Sequence, residues 1–405
     1  MDRVIGFAWV IDGTEGYGVA STVLALTEHV RRAGHAVRVI AVRQGSLAQE
    51  LRGRGFDVDV LGAVAMGVYT GGRVARALQL VRNTARGRAL ARAIRAALIK
   101  RTPDVAHVIL PTLVSPVSRA IVGLRAPGGP VLGVWEMAAV VGDRAPIPVN
   151  RWIYHAAVRR ARMLVLANSA YTGRTLVGPR GRARGVEPVT FHLGVDEGRF
   201  DPSRVRPVQR RDLGIPSDAV VFGVIARFDG AKGQRQVVGA LAAAIGAAPA
   251  PDWRLLLIGG PADGPHAQAV RDEAAQRGVA DRVIFTGPVP DPERYYAAID
   301  VPCNARTDAE PYGLSVVEAM MMARPVLVHA LGGPAETVID GVTGWHVPAP
   351  TPEAWRAGVA RVMADRHRWG QMREAARAHA LEHFTASAVA RRYMDTVQGR
   401  LAQSQ

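Results

Sequence analysis

The sequence predicts an α/β protein of two doubly wound parallel-sheet domains, and three observations carry that expectation. A chain of 405 residues exceeds the length at which one hydrophobic core keeps growing. Its first half alternates short apolar runs with helical periodicity, the grammar of successive β-α-β units. After a proline- and charge-rich stretch at 198–218, "GRFDPSRVRPVQRRDLGIPSD", the same grammar starts again.

Val4 to Val10 reads as a strand that runs into a glycine-rich loop, "DGTEGYG", and a helical pattern from Ser21 to Arg32 stops at Gly34. A strand "AVRVIAV", a helix near 46–54 and a strand "DVDVL" follow, and "PDVAHVIL", "PVLGVW" and "MLVLANS" extend the sheet. Beyond the linker come strand "VVFGVI", loop "ARFDGAKG", a helix from Gln234, strand "RLLLIGG", a helix over 266–277, strand "RVIFTG" and a helix over 292–299. A strand near 300–303, a helix carrying Glu318 and strand "PVLVH" complete the second sheet, and 351–400 is helical by pattern. Each half is therefore Rossmann-like. Ligands of such sheets sit beyond the carboxyl ends of the strands, which predicts a site in the cleft between the halves.

Composition narrows the setting. Hydrophobic residues make up 48% and charged ones 21%, a globular balance. Cys303 is the only cysteine, so no internal disulfide forms and a reducing compartment is expected. The apolar start "VIGFAWVI" is too short for a signal core or a membrane span, as is the uncharged 236–251, so the protein is expected in the cytoplasm. The net charge of +16 is concentrated in residues 1–205, where 29 Lys+Arg face 14 Asp+Glu. Such a field suits anionic partners, or else reflects an arginine-rich composition with no specific target. In 60–103 there are nine basic residues and no acidic one, with Val74, Leu78, Val81, Leu90, Ile94 and Leu98 at helical spacing. This segment, most clearly 73–101, is either a basic amphipathic surface for an anionic membrane or a helix packed on the sheet with a solvated arginine face.

Three constellations carry chemistry. In "DGTEGYG", Gly13, Gly16 and Gly18 between strand and helix would let backbone N–H groups approach a phosphate, although the dinucleotide fingerprint is not met and a plain tight turn is the alternative. Arg43, after the second strand, would suit a ribose phosphate and keeps an NADP-dependent oxidoreductase in view. In "ARFDGAKG", Arg227 and Lys232 put two cations where a diphosphate would lie. Only Lys100 and Lys232 of the 51 basic residues are lysines, so Lys232 marks a place where a compact charge on a flexible stem does what a planar fork does not. In "EPYGLSVVEAM", Glu310 precedes a helix amino terminus at Gly313–Ser315, and Glu318 lies eight residues on, within about 80° of the same angular position. Pro311 and Gly313 break the helix between them, so the two carboxylates serve different parts of one ligand, or else Glu310 caps and Glu318 is solvated. Thiolate zinc clusters, H-E-x-x-H, G-x-S-x-G and G-x-x-x-x-G-K-[ST] are all missing from the sequence.

"EPYGLSVVE" resembles the E-x7-E motif of the family 4 glycosyltransferases, retaining nucleotide-sugar enzymes of the GT-B fold. "ANSAYT", "FHLGVDEGRFDP", "ARFDGAKG", "FTGPVPDPERYYAAIDV" and "GGPAETVIDGVTGWHVP" are similar to that family in the same order, most strongly from about 190 to 350. The resemblance implies an acceptor-binding domain over 1–203, joined by a last helix (386–405) that crosses back, and a donor-binding domain over 204–385. It implies that Arg227 and Lys232 bind the donor pyrophosphate, that Glu310 sits against the transferred sugar, and that Glu318 holds the ribose. Tyr312, Gly313, Leu314, Ser315, Val289 and Gly16 complete the implied donor contacts. A histidine that the family often aims at the donor sugar is replaced by "GVWEMAAV", which leaves Glu136, unless it is only a polar residue at a strand end, and, secondarily, His192 as sugar or acceptor candidates. The expected reaction is transfer of a sugar from a nucleoside diphosphate sugar to a glycan, lipid-linked or small-molecule hydroxyl with retention of configuration. It is expected to use no metal or other cofactor, and no nucleic acid partner. A non-catalytic sugar-nucleotide-binding protein is the other alternative.

Overall fold

The structure is a computed structural model describing residues 3–64, 73–142, 149–178, 185–244 and 252–403. Its chain divides into two compact units, 1–194 with 386–405, and 195–385.

The first unit runs β1 (Gly6–Ile11), α1 (Tyr17–Arg32), β2 (Ala36–Ala41), α2 (Ser46–Gly53), β3 (Asp57–Val60), α3 (Arg73–Lys100), β4 (Val105–Val108), α4 (Pro111–Ile121) and a minimal hairpin β5 (Arg125–Ala126) and β6 (Gly129–Pro130). It continues with β7 (Leu132–Met137), α5 (Val149–Ala161), β8 (Leu164–Ala167), α6 (Ala170–Val177) and β9 (Val189–Thr190). Its main sheet has the order β3-β2-β1-β4-β7-β8-β9, parallel throughout, with register such as Trp9 opposite Val39 and His107. Strands covered on both faces need apolar residues at nearly every position, and β1, "GFAWVI", has them.

The second unit runs β10 (Val220–Ile225), α7 (Gln234–Ala244), β11 (Trp253–Ile258), α8 (Pro265–Gln276), β12 (Val283–Gly287), α9 (Pro292–Tyr296), β13 (Val301–Asn304), α10 (Leu314–Met321), β14 (Val326–His329), α11 (Pro334–Thr337), β15 (Gly344–Val347), α12 (Pro352–Ala364) and α13 (Trp369–His383). Its six parallel strands are ordered β12-β11-β10-β13-β14-β15, so the strand order reverses direction between β10 and β13. That switch point is where an open α/β sheet leaves a crevice for a ligand.

The last helix, α14 (Ala386–Ala402), belongs to the first unit. Val389, Tyr393, Met394 and Val397 are buried with Phe7, Trp9, Val23 and Val30 against one face of the sheet. The unit boundary falls at 194/195 rather than at 203/204. Val195 N–H donates to the Phe384 carbonyl at 2.9 Å, and Asp201 pairs with Arg377 at 3.0 Å, so the residues around 200 are held by the second unit's final helix.

Helix α3 clarifies half of the basic segment. Leu90, Ile94 and Leu98 are buried in the first unit's core, and Arg38 from β2 donates to the terminal carbonyls of Ala97 and Leu98 at 3.2 and 3.3 Å. Those apolar residues pack on the sheet, while Arg82, Arg86, Arg88 and Arg92 face outward. Val74, Leu78 and Val81 lie outside the residues whose side chains are described. Among the described residues no helix is long and apolar enough to cross a membrane.

Candidate active site

Three loops leave the carboxyl ends of the adjacent strands β10, β13 and β14 and are laced together by backbone contacts. Loop 226–233 meets loop 305–313 where the Thr307 N–H donates to the Ala231 carbonyl at 2.8 Å. Gly233 has φ of +71°, and a Cβ there would lie 1.9 Å from the Ala305 carbonyl oxygen, so only glycine lets the two loops approach this closely. Gly332, with φ of +92°, would place a Cβ 2.0 Å from the Glu310 carbonyl oxygen, and the Gly333 N–H donates to that same oxygen at 2.9 Å. The "LGGP" turn after β14 thereby fixes the backbone of Glu310. His329, buried at the end of β14, donates from Nδ1 to the Arg306 carbonyl at 2.7 Å and anchors the middle loop from the other side.

This scaffold assembles a charged cluster. Lys232 Nζ lies 2.9 Å from Glu310 Oε2, with both side chains largely buried. Arg306 Nη1 approaches the same carboxylate oxygen at 3.6 Å, and its guanidinium also grips Asp308. Burial works against the Arg306 charge, but the hydrogen bond it donates to Asp308 and the charges of Glu310, Asp308 and Asp229 outweigh it and hold its pKa above the ordinary arginine value. Arg227 stands exposed, 3.5 Å from Asp229, and its carbonyl accepts from the buried Gln234 amide at 2.9 Å. Three cations thus face three carboxylates.

The rest of "EPYGLSVVEAM" supports this loop. Gly313 is the left-handed N-cap of α10 and offers no side-chain oxygen of its own to the helix's first N–H groups. Tyr312 and Gly313 are buried, and Leu314 and Ser315 are half-buried. Glu318 lies inside α10 and is 3% exposed, with Oε2 at 3.0 Å from the Tyr296 hydroxyl, which is also 3.0 Å from the Ser315 carbonyl. Glu318 is therefore not a solvated helix residue. Val289 is half-buried against a small apolar cluster that includes Ile215 and Ile258. Arg306, Asp308, His329, Gly332 and Gly333 were not singled out from the sequence. Their importance depends on contacts across three loops, and only the "GGP" spacing gave a signal.

The first unit's candidates are differently placed. Gly16 is the exposed N-cap of α1, with open space around the position of a Cβ. The loop before it is already filled by an internal anion. Glu15, 8% exposed, accepts from the N–H groups of Asp12 at 2.6 Å and Gly13 at 2.9 Å, and burial pushes its pKa up. Gly13 is a tight-turn glycine, because a Cβ there would lie 2.1 Å from the Arg43 carbonyl oxygen. Arg43 itself binds Asp12 at 2.7 Å and the Thr14 hydroxyl at 3.0 Å, which removes the cation on which a ribose-phosphate reading of this loop depends. Glu136, on β7, is 1% exposed, and its Oε2 accepts from His107 Nε2 at 3.1 Å. An imidazole that carries its one proton on Nε2 accepts at Nδ1, where the Tyr393 hydroxyl lies 2.8 Å away. Trp9 stacks on the same imidazole, and Glu136 Oε1 is buried with no hydrogen-bond partner. His192 is half-buried in the loop after β9.

Residues 205–379 match the family model described as glycosyl transferases group 1. The chain is 31% identical over 258 residues to a D-inositol 3-phosphate glycosyltransferase of Nocardia farcinica, an alignment covering 62% of this chain and 55% of the relative. It is 32% identical over 245 residues to a GDP-mannose-dependent alpha-(1-6)-phosphatidylinositol monomannoside mannosyltransferase of Mycolicibacterium smegmatis, covering 57% and 61%. The chain thus spans somewhat more than half the length of these two curated relatives. In fold it is similar to a glycosyltransferase from Rickettsia africae, with a TM-score of 0.79 at 17% identity and full coverage of both chains. Anabaena HepE in complex with UDP superimposes with a TM-score of 0.77 at 19% identity, covering 98% of this chain and 100% of that one.

Proposed function

Because the chain belongs to the group 1 glycosyl transferases, within the family 4 enzymes of GT-B fold, we propose that it transfers a sugar from a nucleoside diphosphate sugar to an acceptor hydroxyl with retention of anomeric configuration. The observation that carries this reading is the Lys232–Glu310 contact of 2.9 Å at the switch point between β10 and β13.

In the proposed reaction the bond from the sugar's anomeric carbon to the diphosphate breaks, and a bond to the acceptor oxygen forms on the same face. Negative charge grows on the departing diphosphate, where Lys232, Arg227 and the amino terminus of α10 stabilise it. The acceptor proton passes to the leaving phosphate oxygen, so the step needs no side-chain base. Glu310 orients the sugar and shields positive charge at the anomeric carbon, and Glu318 accepts from the ribose hydroxyls. We propose Tyr312, Gly313, Leu314, Ser315, Val289 and Gly16 as the remaining donor contacts, and His192 as the open acceptor-side candidate. The 1–194 unit is proposed to take the acceptor, a glycan, lipid-linked or small-molecule hydroxyl compound. The basic balance of the first half supports an acceptor or a membrane surface that is itself anionic. With Leu90, Ile94 and Leu98 spent on the core, such a surface is met by the arginine face of α3 through charge, and binding to anionic vesicles should vanish in high salt. A cytoplasmic location, at the membrane's inner face, accompanies this proposal.

The test is calorimetric titration of UDP, GDP, ADP, dTDP and NADPH into the wild-type protein and Lys232→Ala. One diphosphate should bind the wild type and be lost by the variant. Binding of NADPH alone, or equal binding of diphosphates to both proteins, would overturn the reading.

A further inference from the structure

The Lys232–Glu310 pair leaves one nearby cation without a role. Arg306 lies in neither the glycine loop nor the two-glutamate stretch, yet its guanidinium reaches the same Glu310 oxygen as Lys232, at 3.6 against 2.9 Å. A diphosphate within reach of the lysine is within reach of the arginine. The position is built: His329 fixes the Arg306 carbonyl, and the next residue's N–H is tied to Ala231 in the lysine's own loop. The Arg306 side chain is 23% exposed, which leaves room for a ligand to reach it. Its other partner, Asp308, is 47% exposed and two residues away in sequence, so that carboxylate can turn to water at little cost.

We propose that Arg306 is a third diphosphate-binding cation and that Asp308 is the counter-ion it exchanges for phosphate when the donor enters. The inference rests on the donor-site reading above and adds a residue and a release device to it. A planar fork held by Asp308 matches two phosphate oxygens as it matches two carboxylate oxygens. When product leaves, Asp308 recaptures the guanidinium, so the empty site is not left with an uncompensated, half-buried arginine. The exchange makes Asp308 a competitor of the product diphosphate. Removing its charge should tighten the site, an effect opposite in sign to that of a variant that merely damages the loop.

The experiment uses whichever of UDP, GDP, ADP and dTDP binds the wild-type protein most tightly, with the matching monophosphate as a control. Both are titrated into Arg306→Gln, Arg306→Lys, Asp308→Asn and Lys232→Ala. Arg306→Gln should weaken diphosphate binding by roughly tenfold, the scale of one charge-assisted hydrogen bond, with a smaller effect on the monophosphate. Arg306→Lys should recover part of the loss. Asp308→Asn should tighten diphosphate binding severalfold and lower kcat wherever product release limits turnover. If Lys232→Ala loses the diphosphate while Arg306→Gln and Asp308→Asn bind as wild type, the inference is overturned and the donor site stands. If Lys232→Ala also binds as wild type, the donor-site reading itself fails. Should Arg306→Gln not fold, Asp308→Asn still decides, since unchanged or weaker binding refutes the exchange.

Discussion

The two glycine loops of this protein occupy the same station, after the first central strand of a doubly wound sheet and before a helix, yet they are electrostatically opposite. The loop after β1 is sealed. Glu15 takes the N–H groups of Asp12 and Gly13, and Asp12 takes the Arg43 guanidinium. The loop after β10 is loaded: Arg227 and neighbouring Arg306 are matched by Asp229 and Asp308, whose side chains keep some exposure and can turn away, while Lys232 faces the largely buried Glu310. A glycine-rich turn at a strand's carboxyl end therefore does not by itself make a phosphate site. What separates the two is whether the loop's charges are satisfied by groups that are buried and fixed or by groups that can be displaced.

The largest effect that would break the comparison is on turnover. Lys232→Ala should lower kcat by about 10²–10³, the loss expected for one preorganised donor to developing charge, or roughly 3–4 kcal/mol. Arg43→Ala, the corresponding cation of the sealed loop, should leave donor affinity within about threefold of wild type, as an exposed pair does. Steady-state kinetics on the two variants decides, and equal losses would erase the distinction. Glu310→Gln comes next, at roughly 10²-fold in kcat with KM less affected, because in the proposed reaction its charge matters most at the transition state.

The glycines sharpen the point. Gly13→Ala and Gly233→Ala each force a Cβ to about 2 Å from a carbonyl oxygen at positive φ, and each should cost about 1–3 kcal/mol of stability by thermal unfolding. Only Gly233→Ala should also lose the nucleoside diphosphate, since only that turn carries the loaded cations. A further check concerns Glu136, another buried carboxylate of the first unit. Tyr393→Phe removes the donor to His107 Nδ1 and should cost about 1–2 kcal/mol without changing diphosphate binding.

Much of this was legible in the sequence, and the physics explains which parts. Strands buried on both faces must be almost wholly apolar, so "VVFGVI" and "RLLLIGG" announced themselves, and the repeat of β-α-β units gave the architecture. Helix α1 begins at Tyr17 rather than Ser21 because Gly16, which reads as loop, is its N-cap. Lys232 was visible because lysine is scarce in this chain. Arg306 was hidden for the converse reason, being one arginine among many, and only its nonlocal contacts with Glu310 and His329 distinguish it. Glu136 read as a sugar or acceptor candidate or else a polar residue at a strand end, whereas it is buried against His107 and, through it, tied to a helix some 260 residues later in the chain. Pairings of that sequence separation leave no periodic trace.

The smallest effect is on pH dependence, and it tests the sealed loop alone. Burial raises the Glu15 pKa above its unfolded value of about 4.5. Between the unfolded and folded pKa values the native chain therefore binds the extra proton, so stability falls as pH rises through that interval and is level above it. Glu15→Gln has no such proton to lose. Although it sacrifices one acceptor oxygen, its unfolding temperature should lack this component, and the gap between variant and wild type should narrow as pH is raised from about 4.5 toward neutrality. The nearest carboxylate in the loaded loop, Asp229, is not buried, and Asp229→Asn should alter diphosphate affinity. Parallel melting curves for Glu15→Gln and wild type across that range would mean that the buried carboxylate is held in its charged form by the two N–H groups, and that the loop is sealed by hydrogen bonding alone.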